Sequence, residues 1–293
     1  MPRTARSLAT QAPGSHTENM TKHTPVPDAV QDPALLRAQH GRVTVLTFNR
    51  PRSRNTLTEA MLKTLSDTFA DIAKDRGTRA VVIAAEGPVF SAGHDLKEMT
   101  ARRSDADGGK AYFKLIMDTC SGMMQQIVGL PQPVIAAVEG TATAAGCQLV
   151  AACDLAIAST SAKFGTSGIN VGLFCSTPMV ALSRKVLRKH AMEMLLTGEL
   201  ISAEDAYRFG LVNRVVAPGT ARAEALALAN IIAAKSRAGI QLGKRAFYRQ
   251  IEMPLAEAYR FTSEIMVENM LEADAREGIG AFIDKRDPKF DDR

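Results

Sequence analysis

Residues 134–168, VIAAVEGTATAAGCQLVAACDLAIASTSAKFGTSG, constrain the chain more than any other stretch. An apolar strand over 134–138 runs through a turn of small residues into a short helix, a second strand and another glycine turn. A turn without bulky side chains lets a ligand approach the backbone N–H groups of the helix N-terminus, where the helix dipole favours negative charge.

The flanking sequence repeats this alternation. Val43 to Phe48 predicts a strand closed by Asn49-Arg50-Pro51, and Thr58 caps a predicted helix carrying Met61, Leu62, Leu65, Phe69 and Ile72 at helical spacing. Ala80–Ala84 predicts an apolar strand, Pro88–Leu96 a loop and Ala111–Val128 a helix. Strands joined by crossover helices imply an α/β fold with a largely parallel, buried sheet. Beyond residue 168 the expectation is two or three short helices over 176–209, a strand over 211–216, and successive helices over 220–285 broken near Gly239, Pro254 and Gly278–Gly280. Phe261, Ile265, Met266, Met270, Leu271, Ile279 and Phe282 make the last helices too apolar for a free surface, so they pack on the core or on another subunit. The Pro-rich, Ser-rich and Thr-rich N-terminus is expected to be disordered, giving a lead-in of 1–38, a core of 39–216 and a helical region of 217–293.

No apolar run approaches the roughly 20 residues of a membrane-spanning helix, so no membrane partner is expected. The four cysteines, Cys120, Cys147, Cys153 and Cys175, show no CxxC pairing, two of them lie in apolar surroundings typical of buried thiols, and a reducing compartment is expected. The cytoplasm is expected; Arg3 and Arg6 without any acid in the first sixteen residues allow a mitochondrial transit peptide as the alternative. The net charge of +5 is spread over short clusters that read as solvated faces or as contacts for an anionic small molecule. A nucleic-acid partner is not expected, because no aromatics interleave with those clusters. The five histidines show no metal-ligand spacing, and no metal is expected.

Two loops carry the chemistry. In PVFSAGHDLKEM (88–99), Ser91-Ala92-Gly93 permits an unusual turn ahead of Asp95 at a helix start, which leaves the His94 N–H pointing outward. In the central stretch, Thr143-Ala144-Ala145-Gly146 opens the next helix, so the Ala145 N–H is also free. Two convergent N–H donors would form an oxyanion hole.

With both loops in view, the chain resembles the enoyl-CoA hydratase/isomerase (crotonase) superfamily over residues 41–290. The marks are FNRP (48–51), FSAGHDL (90–96), IAAVEG (135–140), GCQLVAACDLAIAS (146–159), AMEMLLTGELISAEDAYRFGLVNRVV (191–216) and EGIGAFIDKRDPKF (277–290). The resemblance implies a ββα spiral with a helical C-terminal trimerisation region, assembled as a homotrimer or homohexamer. It implies an acyl-CoA or enoyl-CoA thioester as substrate, with coenzyme A part of that substrate and no separate cofactor. The thioester oxygen would lie on the His94 and Ala145 N–H groups. Arg52, Arg54, Ser91 and Ala92 would bind CoA, together with Phe282 and Lys285, which by the family pattern come from a neighbouring subunit.

The chain departs from that pattern at the two glutamates that handle water in the family's hydratases. Their positions hold Gln148 and Gly168. An amide cannot accept a proton at neutral pH, and a positioned acid or base contributes about 10²–10⁴-fold, so hydration is expected to be slow or replaced by another reaction. A non-catalytic acyl-CoA-binding or assembly role is the alternative. Restoring glutamate at both positions is expected to bring hydration. Residues 164–174 also resemble the dihydroxynaphthoyl-CoA synthases, which implies that Thr166, Ser167 and Gly168 hold a water or small anion. Asp95 and Asp154 read as a helix cap and a core-edge acceptor, Glu139 as a strand-end surface residue, and the His94 ring as structural or solvent-facing, with a catalytic role as the alternative.

Overall fold

The computed structural model describes residues 32–290. The chain opens on a hairpin, β1 (Leu35–His40) and β2 (Val43–Phe48), and continues into α1 (Glu59–Lys74). Three strand pairs follow. β3 (Ala80–Ala85) and β4 (Val89–Ser91) lead into α2 (Leu96–Ala101) and α3 (Lys110–Gly129). β5 (Val134–Val138) and β6 (Thr141–Thr143) lead into α4 (Ala145–Ala152), and β7 (Leu155–Ser159) and β8 (Lys163–Gly165) into α5 (Ser176–Leu182) and α6 (Arg188–Thr197). Then come β9 (Ile201–Ser202), α7 (Ala203–Phe209), β10 (Arg214–Val216), α8 (Ala221–Ala233), α9 (Arg237–Gln250), α10 (Leu255–Leu271) and α11 (Ala273–Ile283).

Each strand pair sends one member to each of two sheets. The larger sheet has the order β1-β2-β3-β5-β7-β10 and is parallel except for β1; the smaller has the order β4-β6-β8-β9 and is parallel except for β9. This is the expected ββα spiral, but the short strands of the smaller sheet were not expected from the sequence. The stretch assigned to a loop at 88–96 contains β4, which at three residues is too short to show alternation. The expected lead-in lies outside the described residues up to residue 31, and the boundary at 38 falls inside β1, the strand LLRAQH, five of whose six residues are exposed.

Alternation along the buried strands divides the core. Leu46, Phe48, Val81, Ile83, Val134 and Ala136 face α1, α3 and α4, whereas Val43, Val45, Val82, Ala84, Ile135 and Ile157 face α8. On α1 the Thr58 hydroxyl accepts from Met61 N–H at 3.1 Å, and Met61, Leu62, Leu65, Phe69 and Ile72 are buried as expected. At about 1.5–3 kcal/mol for each buried side chain, this stripe outweighs propensity differences of about 0.7 kcal/mol per residue. On α8 the contact is a row of Ala221, Ala225, Ala229 and Ala233, which lets the helix lie close on the sheet. Glu139, at the end of β5, caps that helix: its carboxylate accepts from Gly219 N–H at 2.9 Å and Ala221 N–H at 2.6 Å. It is therefore a tertiary helix cap, a role that its position in the sequence gave no reason to expect.

The helices after residue 220 appear as expected, but their breaks shift. Pro254 does separate two helices, whereas Gly239 lies inside α9, donating its N–H to the capping Ser236 hydroxyl, and Gly278 and Gly280 lie inside α11. Met266, Met270, Leu271, Ile279 and Phe282 are exposed in the single chain, so this apolar face does not pack on the chain's own core. Among the described residues no helix is long and apolar enough to cross a membrane.

Candidate active site

β4 and β6 are parallel neighbours in the small sheet, so the loops that follow them leave the same edge and meet. Gly93, at φ +83°, lies directly against the start of α4. A Cβ there would fall 2.9 Å from the Ala145 nitrogen and 3.0 Å from the Ala144 methyl. Gly146 returns the contact, since a Cβ on it would fall 2.2 Å from the Ser91 carbonyl oxygen. Only glycine fits at these two crossings. The Gly93 N–H donates to the Ser91 hydroxyl at 3.2 Å, and its carbonyl accepts from Leu57 N–H at 2.8 Å. Among the described residues the backbone N–H groups of His94 and Ala145 donate to no protein carbonyl. No side chain caps α4, in contrast to Thr58 on α1 and Asp95 on α2.

Gln148 sits one turn into α4, 4% exposed, with its N–H donating to the Ala144 carbonyl and its side-chain Oε1 without a hydrogen-bond partner. Gly168 opens the segment after β8. Leu173 N–H donates to the Gly168 carbonyl at 2.9 Å, and a Cβ on Gly168 would fall 2.6 Å from the Leu173 carbonyl oxygen and 2.8 Å from Cys175 Sγ. The place from which a glutamate would project is thus filled by the following loop. This changes the expectation that glutamates can be restored at both positions, because at 168 the side chain would collide with backbone at its first carbon. It also bears on the small-anion reading: Thr166 is fully buried and donates to the Met194 carbonyl at 2.8 Å, and Ser167 pairs with Thr143 at 2.7 Å.

The residues assigned to CoA fall in two groups. Arg52 and Arg54 are exposed on the turn after β2, and the Arg54 carbonyl accepts from Ala92 N–H at 3.0 Å, which ties that turn to the Ser91-Ala92-Gly93 loop. Asn55 fixes the turn from beneath. It is fully buried, accepts from Arg50 N–H at 2.8 Å and donates to the Glu86 and Val89 carbonyls at 3.0 and 2.7 Å. A buried Asn after NRPRSR was the signal the sequence reading passed over. Phe282 and Lys285 are exposed at the end of α11, whose neighbours are α9 and α10, and the single chain does not bring them to the paired turns.

The remaining polar residues divide into caps and core groups. Asp95 accepts from Lys97 and Glu98 N–H at 2.9 and 3.1 Å, the expected helix cap. Asp154 is the expected core-edge acceptor, receiving Val134 N–H and Lys244 Nζ at 2.7 Å each and the Tyr248 hydroxyl at 2.9 Å. Lys244 also donates to the Ile127 and Gln132 carbonyls, both at 3.1 Å. A cleft of about 550 Å³ beside this network is lined by Leu130, Leu242, Arg245 and Arg249 and lies away from the paired turns. Burial pushes the Cys147 thiol up to about 12 and raises that of Cys175, which keeps both protonated and unreactive. The His94 ring nitrogens are shielded and without a partner; burial lowers its pKa, with the neighbouring Leu57 backbone opposing in part. Its imidazole is therefore neutral at pH 7. Among the described residues no group of His, Cys, Asp and Glu is placed to hold a metal.

The paired turns between sheet and helix match a known pattern over almost the whole described chain. Residues 38–293 match the model of the enoyl-CoA hydratase/isomerase family. The chain belongs to the enoyl-CoA hydratase/isomerase family. Among its relatives, the mitochondrial enoyl-CoA hydratase domain-containing protein 3 of Xenopus laevis is 45% identical over 285 residues, 97% of this chain and 92% of that one. Solved structures agree on the fold. A crystal structure of an enoyl-CoA hydratase from Mycobacterium smegmatis is 52% identical, with a TM-score of 0.85 over 88% of this chain and 99% of that one. The human enoyl coenzyme A hydratase domain-containing protein 3 structure is 45% identical, with a TM-score of 0.83 over 88% of this chain and all of that one (100%). Within the enoyl-CoA hydratase/isomerase family, this chain is similar to the domain-containing protein 3 group.

Proposed function

We propose that the protein acts on an acyl-CoA or enoyl-CoA thioester, holding the thioester oxygen on the His94 and Ala145 N–H groups and stabilising the enolate that forms there. The observation that carries this reading is the contact of Gly93 with Ala145, which brings two uncommitted N–H groups together across two glycine-permitted crossings. A single preorganised donor of this kind is worth about 10²–10³-fold in rate. Arg52, Arg54, Ser91 and Ala92 are assigned to the CoA moiety. Phe282 and Lys285 are assigned to it from a neighbouring subunit in a homotrimer or homohexamer, with the exposed apolar face of α10 and α11 buried between subunits.

Charge stabilisation is retained in this reading, while assisted proton transfer is not. Gln148 can hold a water through its amide but cannot take the proton, and Gly168 supplies no side chain. Hydration is then slow, or the enolate serves a different lyase or isomerase step. A screen of short and medium enoyl-CoA esters by mass spectrometry tests this. Turnover that falls on Gln148→Ala is the expected result; no turnover with any enoyl-CoA or acyl-CoA ester, together with no effect of Gln148→Ala, would reject it.

The filled space at Gly168 favours a second reading, a non-catalytic acyl-CoA-binding or assembly protein, because no proton-transferring side chain can stand there. Hydration by the wild type, abolished when the Ala145 turn is blocked, excludes that reading. As for compartment, four free buried cysteines suit a reducing one. The Xenopus laevis relative is named mitochondrial, which favours the mitochondrial alternative over the cytoplasm.

A further inference from the structure

Ala144 holds a backbone conformation of φ 51° and ψ −122°, outside the regions open to residues with a Cβ. Its surroundings fix it there. Its N–H donates to the Gly165 carbonyl at 2.9 Å, and its carbonyl accepts from Gln148 N–H at 3.0 Å, so the chain must reverse within one residue between strand and helix. A glycine would adopt this conformation without cost. The chain instead carries a methyl group, and that methyl lies 3.0 Å from where a Cβ on Gly93 would be, next to the Ala145 nitrogen.

The methyl therefore fills the space that Gly93 leaves open. With glycine at 144 as well as 93, no methyl would stand between Gly93 and the start of α4, and the Ser91 side chain would remain only at the Gly146 crossing. Strain of this kind persists only where the surrounding structure over-determines it, and it concentrates where geometry must be exact to fractions of an ångström. We propose that Ala144 is a positioning residue: its methyl, wedged against Gly93 at the cost of a strained backbone, sets the separation and direction of the His94 and Ala145 N–H groups. This rests on the reading of those two groups as the thioester oxygen's donors.

The test is the infrared carbonyl stretch of bound butyryl-CoA, isotope-labelled at its thioester carbonyl, which falls in frequency in proportion to the hydrogen bonding it receives. The wild type is expected to show a clear downshift. Ala144→Gly is expected to lose most of it while unfolding at the same or a higher temperature, because strain is relieved. Ala144→Ser, which keeps the Cβ, is expected to retain it, and it keeps the test open should the glycine variant not fold. A downshift preserved in Ala144→Gly, or lost in Ala144→Ser, overturns the proposal and leaves the donor reading standing. Loss accompanied by a lower unfolding temperature marks a merely structural role and also overturns it. No downshift in the wild type with butyryl-CoA bound rejects the donor reading itself.

Discussion

Leu173 folds back on Gly168, donating its N–H to the Gly168 carbonyl at 2.9 Å while its own carbonyl oxygen stands 2.6 Å from where a Gly168 Cβ would be. Positions 148 and 168 are therefore unequal as places for a glutamate. Gln148→Glu is nearly isosteric and needs no backbone movement, although burial will raise the new carboxyl's pKa. Gly168→Glu forces the 168–175 loop to move and is expected to cost about 1–3 kcal/mol by overpacking. Assayed on an enoyl-CoA ester, Gln148→Glu should gain more hydration than Gly168→Glu, and urea titration should show the loss of stability only in the latter. Equal gains with unchanged midpoints would contradict the closure.

His94 gives a pH dependence whose sign is fixed by burial. Its folded pKa lies below 6.5, so as pH falls through that value the unfolded chain takes up a proton that the folded chain refuses. Stability from this group is complete above about pH 6.5, is lost as pH falls toward the depressed folded value, and then levels. Urea midpoints measured over this range should decline in the wild type and decline less in His94→Gln.

Gly93→Ala should be damaging in two ways. The new Cβ would meet the Ala145 nitrogen at 2.9 Å and the Thr143 carbonyl oxygen at 3.2 Å, at a φ of +83° that alanine resists. We expect a lower unfolding temperature together with weakened binding of butyryl-CoA by calorimetry. Unchanged binding in a folded variant would separate the Gly93 contact from the thioester.

Lys244 and Asp154 form a buried pair whose side chains are 8% and 14% exposed. Lys244→Met leaves the carboxylate without its cation and the Ile127 and Gln132 carbonyls without a donor. Removing one partner of such a pair costs about 3–5 kcal/mol. Adding Asp154→Asn should recover part of this loss, because the buried charge is removed and the amide oxygen can still accept from Val134 N–H, with the amide nitrogen then donating to the Tyr248 hydroxyl. The measurement is the urea midpoint of both variants.

The sequence and the structure agree most closely where periodicity is long. Val43–Phe48, Val134–Val138 and the α1 stripe from Met61 to Ile72 were legible because each buries a continuous set of apolar side chains. The two turns were legible because Ser91-Ala92-Gly93 and Ala144-Ala145-Gly146 lack bulk immediately before helices. What escaped was the small sheet, whose strands are two or three residues long, and every long-range polar contact. Asn55 under the Arg52 turn, Glu139 on α8 and Lys244 on Asp154 join residues 31 or more positions apart. The closure of Leu173 on Gly168 is a backbone event, and no residue type announces it.

The pairing of β4 with β6 also acts as a ruler. The His94 and Ala145 N–H groups follow neighbouring strands by fixed counts of residues, and the register is interrupted between Val89 and Ser91. One residue of slip along a strand moves an atom by about 3.3 Å, whereas hydrogen-bond lengths vary over only about 0.5 Å. An insertion or deletion in 88–94 would thus displace a donor past any useful distance while leaving every side chain of the site intact. The spacing is stored in chain length, and length is what this stretch cannot change.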